Sequence, residues 1–264
     1  MKKNSFMEGT IIATLAIVVV KILGMLYVIP FYSIVGSSGG ALYSYAYNIY
    51  LIFLGISSAG LPSAISKIIS EYNTLEDKTA KNVAYKQAKN IILIFASISF
   101  LLLFVFAPSI AKFIIGDISG GNTIDDVAFV IRCVSPAILV VPFLSITKGY
   151  LQGHKYVTPS SVSQLIEQIV RILVILVGSY LVVKVFNGTI SLAIGIAILG
   201  AFVGGFCAYV YLKNVIRKNK DKLELEDVDN ENAELKKTIT KKIIKYAKLI
   251  YRKKDYIFKT RNLS

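Results

Sequence analysis

The chain has 264 residues, 55% of them hydrophobic, with a mean hydropathy of +0.61 and only 17% charged residues, against about 25% in soluble globular domains. Its uninterrupted apolar stretches are long enough to cross a bilayer, which excludes soluble enzymes, disordered tails and disulfide-stapled secreted modules. The net charge of +14 divides into +8 for residues 213–264 and +6 for residues 1–212. No nucleic-acid motif accompanies it, so nucleic acid is not an expected partner, and basic residues in short loops and a tail serve orientation in a membrane protein.

A helix crossing the ~30 Å hydrocarbon layer needs about 20 mostly apolar residues. Six segments qualify, at about 11–31, 42–65, 91–115, 128–151, 162–185 and 190–212. Residues 1–212 therefore read as an all-α integral membrane protein, a six-transmembrane-helix bundle, and 213–264 as a basic cytoplasmic linker and tail. The first segment does not read as a cleavable signal peptide, because its apolar run is too long, Lys21 interrupts it and no small-residue cleavage site follows. One set of loops, with the two ends, holds 25 Lys/Arg, while the opposite set holds only Lys112 and Lys184. That bias predicts a multi-pass membrane protein with both termini cytoplasmic.

Between the spans, residues 67–90 are mixed-charge and helix-permissive and predict an amphipathic helix on the inner surface. The stretch 116–126 holds three Asp and adjacent glycines and suits an external turn. Gly60-Leu61-Pro62, Pro136 and Pro142 predict kinks. In the sixth span, Gly200 and Gly204 with Ala201 and Gly205 put small residues on one side for close helix packing. Cys133 and Cys207 lie in apolar segments and read as small membrane hydrophobes rather than a disulfide or metal site.

Some residues are costly in a membrane. Lys21 lies near the middle of the first span, where an unpaired ammonium costs about 2.5–3.5 kcal/mol on insertion scales. It either faces a water-filled cavity or partner, or snorkels to the outer interface. The fifth span opens at Thr158-Pro159, a cap candidate followed by proline. Gln164, Glu167, Gln168 and Arg171 then share one helix face, with Glu167 and Arg171 four apart and the acid first. This stripe either lines a hydrophilic cavity or forms an internal salt bridge that locks the fifth helix to a neighbour. Arg132, near the outer start of the fourth span, is expected to snorkel to the headgroups.

Catalytic signatures are missing. There is no phosphate-binding glycine loop ending in Lys-Ser/Thr, and His154, the single histidine, has no acid or cysteine beside it in its loop. Neither an enzyme, a metal site nor a cofactor is expected.

The same residues carry a family likeness. Val20-Lys21-Ile22-Leu23-Gly24 with Tyr27 and Ile29-Pro30, then Tyr45-Ala46-Tyr47-Asn48-Ile49-Tyr50, and Ser58-Ala59-Gly60-Leu61-Pro62-Ser63-Ala64-Ile65-Ser66-Lys67 resemble the first two helices of the stage V sporulation protein B group of lipid-linked oligosaccharide flippases. The most specific stretch is Lys148-Gly149-Tyr150-Leu151-Gln152-Gly153 with Thr158-Pro159 and the polar helix through Arg171, so Gly149, Tyr150, Gln152, Gly153 and Pro159 stand as family-motif residues. The resemblance covers about residues 6–246.

This group belongs to the multidrug/oligosaccharidyl-lipid/polysaccharide exporter superfamily. The resemblance implies one lobe of a two-lobed transporter of that superfamily, working by alternating access on lipid-linked oligosaccharide or peptidoglycan precursors. It implies that Lys21 belongs to a cationic cavity lining that meets a pyrophosphate head group, with Asn48, Gln164, Glu167, Gln168 and Arg171 counted along the same pathway. Membrane lipids and a separately encoded second lobe are the implied partners. Val28 and Lys148 stand where the group often has arginine. Residues 243–247 resemble the entry to a seventh helix, but the basic residues from Lys248 onward do not suit a bilayer, so a frameshift, premature stop or gene split after about residue 247 is expected. The alternatives are a multidrug/cation antiporter of the same fold, for which Glu167 is the one carboxylate candidate in the spans, and a non-transporting fragment.

Overall fold

The computed structural model describes residues 3–58, 60–116, 121–225 and 233–261, which are helical almost throughout, without strands. Among the described residues, six helical stretches are long and apolar enough to cross a membrane.

The chain starts on α1 (Phe6–Leu26), opened by a reciprocal capping box between Ser5 and Glu8. After a break at Tyr27, α2 (Val28–Ser58) is two helices in fact, because Gly36 leaves the helical region with φ 69°. A β-carbon is strained at that φ, and glycine lets the chain reverse there. The reversal is tight: a β-carbon on Gly40 would lie 2.2 Å from the Tyr32 ring. Gly60, at φ 68°, opens α3 (Leu61–Thr74), with Pro62 in its first turn. The expected break at Gly60-Leu61-Pro62 is therefore present. Residues 67–90 are not one surface helix: they hold the end of α3, a turn at 75–77, and the start of α4 (Lys78–Val105), capped by Asp77. The middle of α4's first turns is buried, which a helix lying flat on the surface would not allow.

Next come α5 (Ala107–Ile115) and α6 (Ile124–Val134), with residues 117–120 of the expected external turn outside the described residues. The α-helical hydrogen-bond ladder breaks at Ser135-Pro136, although both residues keep helical dihedrals, and α7 (Ala137–Gly153) then runs uninterrupted through Pro142. Arg132 stays exposed in the last turn of α6, its Nε donating to the Phe104 carbonyl at 3.4 Å. The polar helix α8 (Val157–Tyr180) ends in a π-helical turn at Leu181–Val185. Thr158 does not cap it. Asn4, at the start of the chain, accepts from the backbone N–H groups of Val157 and Thr158 at 3.0 and 3.3 Å, so the cap is tertiary. Then α9 (Ile190–Lys218), capped by Thr189, carries the sixth span into the basic segment.

The tail is more closely docked than its charge suggests. After a short turn of helix α10 (Lys220–Leu223), α11 (Ala233–Arg261) buries Ile239 and Ile243 against α3 and α4. It adds an ion pair from Lys242 to Glu71 at 2.7 Å and passes so close to Gly60 that a β-carbon there would lie 2.7 Å from the Ala247 carbonyl.

The bundle has two apolar cores stacked along its axis. One, built on Phe31, Leu42, Ile131, Ile138, Ile175 and Ile198, lies toward the reversal at Gly36. The other, built on Ile65, Ile69, Ile92, Tyr150, Leu212 and Ile243, lies toward the lysine-rich end. On α9 the first core extends to Ala201 and the second begins at Ala208. Between them runs a seam.

Candidate functional site

The seam is where α8 carries its charges. Its part-buried Ile166 belongs with one core and its buried Ile175 with the other, and Glu167 and Arg171 lie between. Arg171 Nη2 donates to Glu167 Oε1 at 2.8 Å, as the four-residue spacing allows. A third residue completes the group: Lys148 of α7 reaches Glu167 Oε2 at 2.9 Å. The carboxylate is only 13% exposed and spends one oxygen on each cation. The triad carries +1 in total, and the Arg171 Nε–H is buried without a partner among the described residues. Facing it are Tyr43, Tyr47 and Tyr50 of α2, whose hydroxyls lie within electrostatic range of the guanidinium. Tyr43 and Tyr47 stack at 5.7 Å and Tyr47 meets Tyr50 at 5.8 Å.

The small residues of α9 let α8 sit where it does. A β-carbon on Gly204 would lie 2.5 Å from the Glu167 carbonyl oxygen, and one on Gly200 2.9 Å from that of Arg171. On another side of α8, Gln168 is buried with its amide nitrogen beside Gly24 of α1. Gln164 is part-buried one turn before it.

The structure thus joins Glu167 and Arg171 directly, with Gln168 against α1, and leaves Lys21 and Asn48 exposed on the outside of the bundle. Lys21 is one helical turn from Gly24, so it stands at the level of the seam. The motif residues do something else. Glycine at 149 and 153 lets α7 close onto α3: β-carbons there would lie 2.3 Å from the Pro62 carbonyl oxygen and 2.7 Å from the Ser66 carbonyl oxygen. Tyr150 is fully buried and stacks on Tyr85 at 4.1 Å, Pro159 is buried, and Gln152 is exposed.

Sequence reasoning missed Lys148 as an ion-pair partner, because its distance along the chain from Glu167 has no periodic meaning. It also passed over Tyr43, Tyr47 and Tyr50, whose i, i+4, i+7 spacing was a usable signal for one helix face. Among the described residues, no three His, Cys, Asp or Glu side chains come together as a metal site requires.

Known proteins match this architecture. The B. subtilis (strain 168) protein named lipid II flippase MurJ is 41% identical over 221 residues, which are 83% of this chain and 41% of that protein. Stage V sporulation protein B of the same organism is 26% identical over 220 residues, 80% of this chain and 39% of that one. A solved outward-facing multidrug resistance MATE family transporter of the MOP superfamily superposes with a TM-score of 0.63 at 13% identity, over 95% of this chain and 54% of the transporter. The chain thus spans about two-fifths of the curated relatives it matches and about half of a transporter with the same helical fold. The profile of the family described as "Polysaccharide biosynthesis protein" matches residues 6–244, nearly the whole chain, and this multi-pass membrane protein belongs to that family.

Proposed function

We propose that the chain forms one lobe of a flippase for lipid-linked anionic sugar or peptidoglycan precursors. In this reading it lies in the bacterial plasma membrane with both termini cytoplasmic and rocks against a second lobe to expose its inner face alternately to each side. Lys21, Asn48, Gln164, Glu167, Gln168 and Arg171 form the polar lining, and the exposed Lys21 meets the pyrophosphate of the moving head group. A bare ammonium at mid-bilayer depth is tolerable where water and a mobile anion surround it.

The observation that carries the reading is the electrostatic state of the seam. Glu167 is held by two cations, so the group is net positive and offers no free carboxylate. A proton- or cation-coupled drug antiporter needs a carboxylate that is free to bind its cation, and this arrangement disfavours it. A net positive seam, with the exposed Lys21 at the same level, suits a phosphate-bearing lipid instead.

The test is flipping in reconstituted vesicles that contain this chain together with the part of the 41%-identical relative that it does not match. Transport of a fluorescent pyrophosphate-linked lipid should fall about tenfold or more in Lys21→Ala, while Lys21→Arg keeps most of it. Full activity in the alanine variant overturns the pathway. Proton-driven efflux of a cationic dye that is abolished by Glu167→Gln would establish the antiporter. Absence of either transport, with both parts folded, would establish a non-transporting fragment.

A further inference from the structure

At the lysine-rich end of the bundle, away from the seam, the ends of α3 and α7 and the segment after α9 enclose a cavity of about 540 Å³. Five lysines line it, Lys3, Lys78, Lys81, Lys155 and Lys222, against two glutamates, Glu76 and Glu224. Lys81 is 2% exposed and bonds to Glu224 Oε2 at 2.7 Å, and Lys78 reaches the other oxygen at 3.2 Å. Among the described residues, no carboxylate lies within ion-pair reach of Lys3, Lys155 or Lys222. The cavity therefore gathers, among the described residues, three ammonium groups without a carboxylate partner around one opening.

His154, at the end of α7, borders the same cavity and supplies a neutral donor. Lys81 donates to Asn73 Oδ1 at 3.3 Å, which turns the Asn73 amide nitrogen toward Gly153 O at 3.2 Å and His154 Nδ1 at 3.3 Å. Nδ1 must then accept, which assigns the imidazole proton to Nε2. That Nε2 is buried and, among the described residues, has no partner. Burial, reinforced by Lys81 and Lys3, pushes the imidazole down to about 3, so the ring is neutral at physiological pH. Most buried donors are satisfied, and one left open on a residue that lines this cavity points to a missing acceptor.

We propose that this cavity binds a phosphate-bearing anion, a mono- or diphosphate, between the ammonium groups of Lys3, Lys155 and Lys222 and the imidazole edge of His154. Its volume falls within the range of small-molecule sites. The anion has two possible sources, the head group of an anionic lipid at the membrane surface and a free soluble phosphate compound. Glu224 is the internal competitor, because its carboxylate already occupies Lys78 and Lys81.

The full chain, purified in neutral detergent, is titrated calorimetrically with inorganic pyrophosphate. In parallel, its melting temperature is compared in nanodiscs of phosphatidylglycerol and of phosphatidylcholine. Saturable pyrophosphate binding assigns a free phosphate compound, and stabilisation by phosphatidylglycerol alone assigns a lipid head group. In either case the effect should weaken about tenfold or more in the combined variant K3Q/K155Q/K222Q, and strengthen several-fold in Glu224→Gln, which bares two more ammonium groups. The control K112Q/K184Q, at the opposite end of the bundle, should bind as the parent does. The proposal is overturned if neither probe acts, if the triple variant binds unchanged, or if the control loses as much as the triple variant.

Discussion

The molecule uses one motif twice, a carboxylate bridging two cations, in two very different surroundings. In the seam, Glu167 lies between Lys148 and Arg171 at 2.9 and 2.8 Å and is 13% exposed. At the lysine-rich end, Glu224 lies between Lys81 and Lys78 at 2.7 and 3.2 Å and is 42% exposed. The distances are alike, but the solvent is not. Removing Glu224 lets water reach at least one of the cations it leaves behind. Removing Glu167 leaves two cations facing each other between two apolar cores, where the desolvation cost of an unpaired ion dominates. The same geometry is a structural necessity in one place and a modest tether in the other.

The largest expected effect sharpens that contrast. Glu167→Ala should cost several kcal/mol, about 3–5, and show as a large drop in folded yield and melting temperature in detergent. Adding Arg171→Ala should recover part of the loss, because one of the stranded charges goes with it. Losses that simply add would mean that the pair does not act as a unit.

Next in size is the backing of the seam. Gly204→Ala puts a β-carbon 2.5 Å from the Glu167 carbonyl, backbone against a rigid helix, and should cost about 1–3 kcal/mol. Gly205→Ala meets valine side chains and no backbone, Val141 at 3.0 Å and Val140 at 3.7 Å, and should be milder. Equal melting temperatures for the two would show that α8 is not held by close packing on α9.

A third measurement follows pH. His154 titrates near 6.5 when unfolded and near 3 when folded, so its contribution to stability is complete above about pH 6.5 and is lost as pH falls toward 3. The slope for this one proton is at most about 1.4 kcal/mol per pH unit. Glu224, held below the usual carboxylate range chiefly by the hydrogen bond from Lys81, loses its contribution in the same direction, but only below about pH 4.5. Melting temperature between pH 6.5 and 5 should therefore fall in the parent and flatten in His154→Gln. An unchanged slope in that variant would remove His154 as the cause.

The smallest effect is that of Glu224→Gln at neutral pH. The exposed pair with Lys78 contributes about 0.2–1 kcal/mol, the buried Lys81 keeps Asn73 Oδ1 at 3.3 Å and the new carboxamide oxygen as acceptors, and the Glu224 carbonyl still accepts from Asn82 at 2.9 Å. A loss as large as that of Glu167→Ala would collapse the distinction between the two sites.

The six spans, the same-face placement of Glu167 and Arg171, and the breaks at Gly60 and Pro136 were legible in the sequence, because each depends on local rules: apolar length, helical period, and missing backbone donors or β-carbons. What lay beyond it were contacts between residues far apart in the chain. Lys148 meets Glu167 only because α7 and α8 pack side by side, Asn4 caps α8 only because the chain's start folds back on it, and the glycines of the Lys148–Gly153 motif matter only because α3 presses on them. The tail shows the limit most plainly. Its charge reads as solvated linker, whereas Ile239 and Ile243, four residues apart, pack on the apolar side chains of α3 and α4. Local sequence determines which segments are helices and how deep they can lie in a membrane. Which charges neutralise one another is decided by packing, since an ion pair inside a bundle depends on the distance between helices and on the water excluded between them.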